Sequence, residues 1–193
     1  MVSTRPRLQG DERFLGLAAS VRDFWAFALS DLRGNTTRGY LAEFLVAQAM
    51  GSQQTRVEWD AYDVRAPDGT TIEVKSSGYS QSWPTNTQPV ITFSGLPGAR
   101  TKVSWDASAN SYRTAFIADV YVFAVHTTLP SEPYDPLDID AWRFYVLPGA
   151  AIASTGQSSM RLSTVEKLGA RPVGWNELAD EVRRALTRQA EAP

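Results

Sequence analysis

Between Trp59 and Ser77 the chain reads WDAYDVRAPDGTTIEVKSS, and three of its residues, Asp63, Glu73 and Lys75, have the types and spacing to hold a divalent cation. The stretch predicts two strands joined by a Pro67-Asp68-Gly69 turn, the proline and glycine supplying the bend. Alternation along the second strand sends Glu73 and Lys75 to one face and Ile72 and Val74 to the other. Asp63 on the first strand then lies across from the charged face. Close carboxylates repel and are costly to desolvate, so a hairpin that must also bury Val57, Val64, Ile72 and Val74 gains no stability by clustering them. A divalent cation resolves the conflict. Without one, the same residues read as a solvated cross-strand ion pair.

An Asp followed about ten residues later by Glu-x-Lys, here Asp63 and then Glu73-Val74-Lys75, resembles the active site of the PD-(D/E)XK nuclease superfamily, also called the restriction-endonuclease-like fold. Asp60 and Asp63 lie three apart and face opposite sides of a regular strand, and it is Asp63 whose spacing fits. The resemblance covers about residues 35–168 and implies an α/β fold, an αβββαβ core with a mixed central sheet flanked by helices, with extra N- and C-terminal helices. It implies metal-dependent hydrolysis of phosphodiester bonds in nucleic acid, with DNA expected as the substrate. Asp63, Glu73 and the Val74 backbone carbonyl would ligate Mg²⁺ or Mn²⁺, Glu43 would bind through water, and Lys75 would orient the attacking water. Gln81, just after Glu-x-Lys, would orient water or a backbone phosphate.

Elements that must position these residues are legible around them. The segment NTTRGYLAEFLVAQAMG, Asn35 to Gly51, predicts a helix capped by Asn35 or Thr36, with Leu41, Phe44, Leu45 and Gln48 along one stripe and Gly51 as its stop. Glu43 lies beside that stripe. Ala115 to Thr127, an almost unbroken β-branched and aromatic run, predicts a strand buried on both faces in mid-sheet. Ala141 to Ile152 predicts another strand, and Ser163 to Gly169 a short helix capped by Ser163. Glu12 to Leu32 carries Phe14, Leu17, Ala18, Val21, Trp25, Leu29 and Leu32 at helical spacing and predicts an amphipathic helix on the core or on a second subunit. Trp175 to Leu186 repeats that pattern with Leu178, Ala179, Val182 and Leu186. Between Gly78 and Arg113, short strands are expected at Val90 to Phe93 and Thr101 to Trp105. Tyr79, Trp83, Trp105 and Tyr112 there could stack on bases or pack in loops.

Composition sets the outer bounds. The 193 residues, 43% hydrophobic and 11% aromatic, suffice for one core, giving a flexible arm over residues 1–10 and a single domain over 11–193. The absence of cysteine excludes disulfides, thiolate zinc sites and cysteine nucleophiles. His126 is the one histidine and reads as a strand-end residue; no G-x-S-x-G elbow, phosphate-binding P-loop or G-x-G-x-x-G turn accompanies it. Carboxylate and lysine chemistry with a hard cation is what remains. A net charge of -2 supplies no overall basic footprint for a polyanion, although sixteen of the nineteen basic residues are arginine and Glu132, Asp135, Asp138 and Asp140 gather in one loop. The lack of a long apolar run or an apolar leader predicts a cytoplasmic protein with no membrane association, and the outer helices leave room for a homodimer. Two other readings stay open: a catalytically silent nucleic-acid-binding or scaffold domain of the same fold, and a small-molecule-binding α/β protein.

Overall fold

The computed structural model describes residues 7–53, 61–83, 89–96, 103–106, 111–114 and 118–190. Val57, Asp60 and residues 115–117 lie outside them. The chain divides into two units, Met1–Leu32 and Arg33–Pro193.

In the first unit helix α1 spans Val21–Leu29 only, which shortens the helix expected over Glu12 to Leu32. Ser20 and Asp23 form a capping box: Ser20 Oγ accepts from the Asp23 amide, and the Asp23 carboxylate accepts from the Ser20 amide. That reciprocal pair satisfies two orphan donors and fixes the helix start. Phe14 and Leu17 therefore precede the helix, and both are exposed, as are Trp25 and Leu29 on it. Of the apolar stripe read from the sequence, Val21 is buried.

In the second unit α2 (Asn35–Ala49) leads into a hairpin of β1 (Val64–Arg65) and β2 (Thr71–Gly78). Its turn has the expected chemistry: the Ala66 carbonyl accepts from the Gly69 amide at 2.9 Å and Asp68 Oδ1 from the Thr70 amide at 2.9 Å. Gly69 sits at φ +95°, a region that side chains disfavour. Strands β3 (Thr92–Ser94), β4 (Val103–Asp106) and β5 (Ser111–Thr114) follow, then β6 (Val120–His126) and β7 (Trp142–Pro148). The main sheet has the order β1-β2-β6-β7, with β2 and β6 parallel and the other pairs antiparallel. Every residue of β6 is buried, as expected for a central strand covered on both faces.

One face, formed by Val64, Ile72, Val74, Val120, Val122, Ala124, Phe144 and Val146, packs under α2 and α5 (Leu178–Ala190). The other, with Tyr121, Phe123, Val125, Tyr145 and Leu147, is covered by Phe93 of β3, Met160 of β8 (Ser159–Arg161), Ile152 of α3 (Gly149–Thr155) and Val165 of α4 (Leu162–Lys167). Strand β8 pairs antiparallel with β3, and β4 with β5. The molecule is a mixed α/β protein whose central mixed sheet is flanked by helices.

Several boundaries differ from the sequence expectation. The N-cap of α2 is Gly34, with no side-chain cap, because Asn35 Oδ1 instead accepts from Arg38 Nη2 at 2.5 Å. The buried stripe of α2 is Arg38, Ala42, Leu45 and Val46, while Phe44 is 56% exposed; small Ala42 lets the helix lie close to the sheet. The strand expected from Ala141 to Ile152 ends at Pro148, which has no amide to extend the ladder, and α3 begins at once. Helix α4 starts after Arg161 with no side-chain cap, so Ser163 is not its cap. A 3-10 turn over Trp175–Glu177 precedes α5, which buries Leu178, Glu181, Val182 and Ala185.

Gly149 joins β7 to α3 at a close backbone crossing. Its amide donates to the Asp119 carbonyl at 2.8 Å, and a Cβ built there would stand 2.2 Å from the Ala118 carbonyl oxygen. Gly149→Ala is therefore expected to destabilise the fold by about 1–3 kcal/mol, the usual range for forced overpacking. A thermal melt checks this, at about 2–4 °C per kcal/mol for a chain of this size; an unchanged midpoint would mean that the crossing yields freely.

Candidate functional site

Strand alternation in β2 sends Glu73 and Lys75 to one side. Ile72 and Val74 enter the core beneath α2, which turns Glu73 and Lys75 to the opposite face. There Glu73 lies in register with Tyr121 and Lys75 with Phe123 across the parallel pair. Lys75 Nζ donates to Glu73 Oε1 at 2.5 Å, with side chains only 18% and 16% exposed. Asp63 comes from just before β1: its amide donates to the Ile72 carbonyl at 3.1 Å, and its Oδ2 accepts the Val74 amide at 2.7 Å. Because β1 is two residues long, the carboxylate takes the backbone donor that a longer strand would have satisfied. That bond fixes Asp63 beside Glu73.

The electrostatics are those of a crowded anionic site. Burial, and then the Glu73 charge, push the Asp63 carboxyl up to about 7, with Glu43 adding to the rise and the Val74 amide and Lys75 opposing it. Glu43 on α2 is thus close enough to repel Asp63. Tyr121, only 2% exposed, has its hydroxyl pushed well above the usual range by burial first and then by Glu73 and Asp63. It stays protonated and keeps a donor beside the carboxylates.

A family model described as Bacteriophage T4 endonuclease IV matches residues 28–147. The chain belongs to that family. The match takes in α2, the hairpin, β6 and nearly all of β7, and with them Glu43, Asp63, Glu73, Lys75 and Gln81. Membership in this endonuclease family supports a nuclease role for the chain. No curated protein sequence matches it.

In this endonuclease-family chain the segment after β2 turns back along the site. Gln81 Nε2 donates to the Gly78 carbonyl at 2.7 Å, while its buried Oε1 has no hydrogen-bond partner among the described residues. Gln81 and Lys75 share the wall of a cavity of about 380 Å³, to which Asn35, Arg38, Ser76 and Ser77 also contribute. The indole of Trp83 stands at the same cavity and is exposed; Tyr79 packs against the cluster that includes Phe93, Phe123 and Tyr145. For Trp105 and Tyr112 the structure describes a cross-strand pairing of their backbones. His126 is wholly buried, with its ring 4.3 Å from Tyr134 and 5.1 Å from Trp142 and its Nε2 3.1 Å from the Asp135 carbonyl. Burial lowers its pKa, so it serves the core as a neutral ring. In the acidic loop, Glu132, Asp135 and Asp138 accept nearby backbone amides.

Sequence reasoning passed over Tyr121 and Arg38. Tyr121 was hidden inside an apolar run, and only its register with Glu73 exposes its place. Arg38 lies in the first turn of α2 and is 3% exposed. Among the described residues no group of three or more His, Cys, Asp or Glu side chains is placed to hold a metal ion, and no helix is long and apolar enough to cross a membrane.

Proposed function

We propose that the chain is a divalent-cation-dependent endonuclease of DNA, of the PD-(D/E)XK type. The observation that carries this reading is the pairing of Asp63 with Glu73 on one side of the hairpin, so crowded that Asp63 is pushed to about 7, with Lys75 bonded to Glu73. A buried pair of carboxylates that repel each other suits a hard cation with oxygen ligands. Asp63, Glu73 and the Val74 carbonyl would hold Mg²⁺ or Mn²⁺, with Glu43 reaching it through water. Such an ion lowers the pKa of water and stabilises a leaving oxygen, which removes the need for a histidine.

The chain's own groups do the rest. Lys75, its ammonium bonded to Glu73, offsets negative charge on the phosphate and orients the attacking water, an electrostatic role rather than that of a base. Tyr121 offers a neutral donor to the carboxylates and helps keep the site dry. Gln81 lines the cavity beside Lys75 and positions water or, through its NH2, the phosphate backbone. The order helix, hairpin, strand, strand, short helix supports a restriction-endonuclease-like arrangement. Self-association as a homodimer belongs to the same reading, supported by exposed Leu15, Phe24 and Phe27.

Purified protein should cleave DNA oligonucleotides in Mg²⁺ or Mn²⁺ and leave them intact in EDTA. Cleavage of equal rate in EDTA would exclude the cation, and no cleavage across single-stranded, duplex and nicked forms would exclude the activity.

A further inference from the structure

The cavity beside Lys75 contains a charge that the proposed hydrolysis does not use. Arg38 is almost completely buried, and among the described residues its bonds run only to neutral oxygens: Nη1 to the Arg33 carbonyl at 3.1 Å and the Ser80 carbonyl at 3.4 Å, Nη2 to Asn35 Oδ1 at 2.5 Å. Its Nε is buried and has no hydrogen-bond partner among the described residues. An arginine remains charged under all ordinary conditions, and a buried charge without a counter-ion is costly.

Several other groups near Arg38 suit an anion. It lies in the first turn of α2, where the helix dipole is positive and where Gly34 leaves the first amides without a side-chain cap. Ser76 and Ser77 bring hydroxyls to the wall, Asn35 and Gln81 bring amides, and Lys75 brings a second cation. The volume is that of a small-ligand pocket. The planar guanidinium fork suits phosphate oxygens.

We propose that this cavity is a phosphate-binding subsite: Arg38, with Asn35 and Gln81, seats a phosphate of the nucleic-acid chain next to the one that is cut. The subsite rests on the endonuclease reading, because Lys75 lies on its wall and would serve the neighbouring phosphate. It holds the strand in register while Asp63, Glu73 and Lys75 act.

Binding in EDTA, without turnover, tests the subsite separately from the chemistry. Anisotropy of a labelled oligodeoxynucleotide is followed against NaCl for wild type, Arg38→Gln, Arg38→Lys and Asn35→Asp. Arg38→Gln should weaken binding about tenfold or more and reduce the slope of log K against log salt by about 0.7–0.9, the value of one phosphate contact. Arg38→Lys should keep the slope. Asn35→Asp supplies the missing counter-charge without removing the acceptor for Nη2; it should raise the melting temperature and yet weaken binding, and it remains decisive if Arg38→Gln does not fold. Inorganic phosphate should raise the melting temperature of wild type and not that of Asn35→Asp. Unchanged affinity and slope in a folded Arg38→Gln or in Asn35→Asp would overturn the proposal, as would phosphate stabilisation with no effect of either variant on DNA. Failure of wild type to cleave in Mg²⁺ or Mn²⁺ would instead overturn the endonuclease reading, whatever Arg38 binds.

Discussion

Lys75→Ala should lower the rate of DNA cleavage at saturating substrate by about 10²–10³-fold or more, the loss that follows removal of one preorganised donor to developing charge. The ammonium sits against Glu73 in a partly buried pair, where its field is screened less than at the surface. No other lysine or arginine lies on the exposed face of β2. The fold should survive, because neither Lys75 nor Glu73 belongs to either hydrophobic cluster. Lys75→Arg, which keeps the charge but not the compact ammonium, should recover only part of the rate. Single-turnover cleavage beside a thermal melt supplies the comparison. A folded Lys75→Ala variant cutting at the wild-type rate would place the chemistry elsewhere.

Asp63→Asn should produce the second large effect, on stability as well as activity. With the folded carboxyl pushed to about 7 and an unfolded value near 3.9, the folded protein keeps a proton that the unfolded chain releases. Stability from this group is therefore complete below about pH 4 and falls as pH rises toward 7, by up to about 1.4 kcal/mol per pH unit and on the order of 4 kcal/mol in all. Asn has no proton to lose and still offers an oxygen to the Val74 amide. The variant should match wild type near pH 4 and exceed it at pH 8. It should also lose most of the stabilisation that Mn²⁺ gives wild type, about 2.7 kcal/mol at a hundredfold excess over Kd. Denaturant melts at pH 4, 6 and 8, with and without Mn²⁺, measure both. Parallel pH curves for the two proteins would remove Asp63 from the buried site, and equal Mn²⁺ shifts would remove it from the ligands.

The legible parts of this protein are the local ones. Asp63, Glu73 and Lys75 lie on one hairpin, where alternation and turn chemistry decide the side of each residue, and Glu43 is one helix away. The buried face of α2 was misjudged because hydrophobicity favoured Phe44, whereas close helix-to-sheet packing favours Ala42 and Val46. The capping box Ser20 to Asp23 was present in the sequence and would have shortened the first helix had it been weighed against the longer apolar periodicity. Arg38 and Tyr121 acquire meaning only through distant pairings: Arg38 bonds to Ser80 across 42 positions, and Tyr121 meets Glu73 through the parallel β2–β6 ladder. No local pattern encodes either.

That ladder also governs how the protein comes to be folded. Its start is clasped by Asp119, whose Oδ2 accepts the Thr71 amide at 2.9 Å and the Thr71 hydroxyl at 2.8 Å, across 48 positions of sequence. The hairpin can form early because its strands are adjacent, while closing a loop of that length costs about 3 kcal/mol of chain entropy before any contact compensates. Asp63 and Glu73 thus meet while both are still open to water, where their repulsion is weak. Docking of β6, with Tyr121, then strips that water away, so the anionic site acquires its strain in the late, slow step of folding, when the rest of the core is there to hold it.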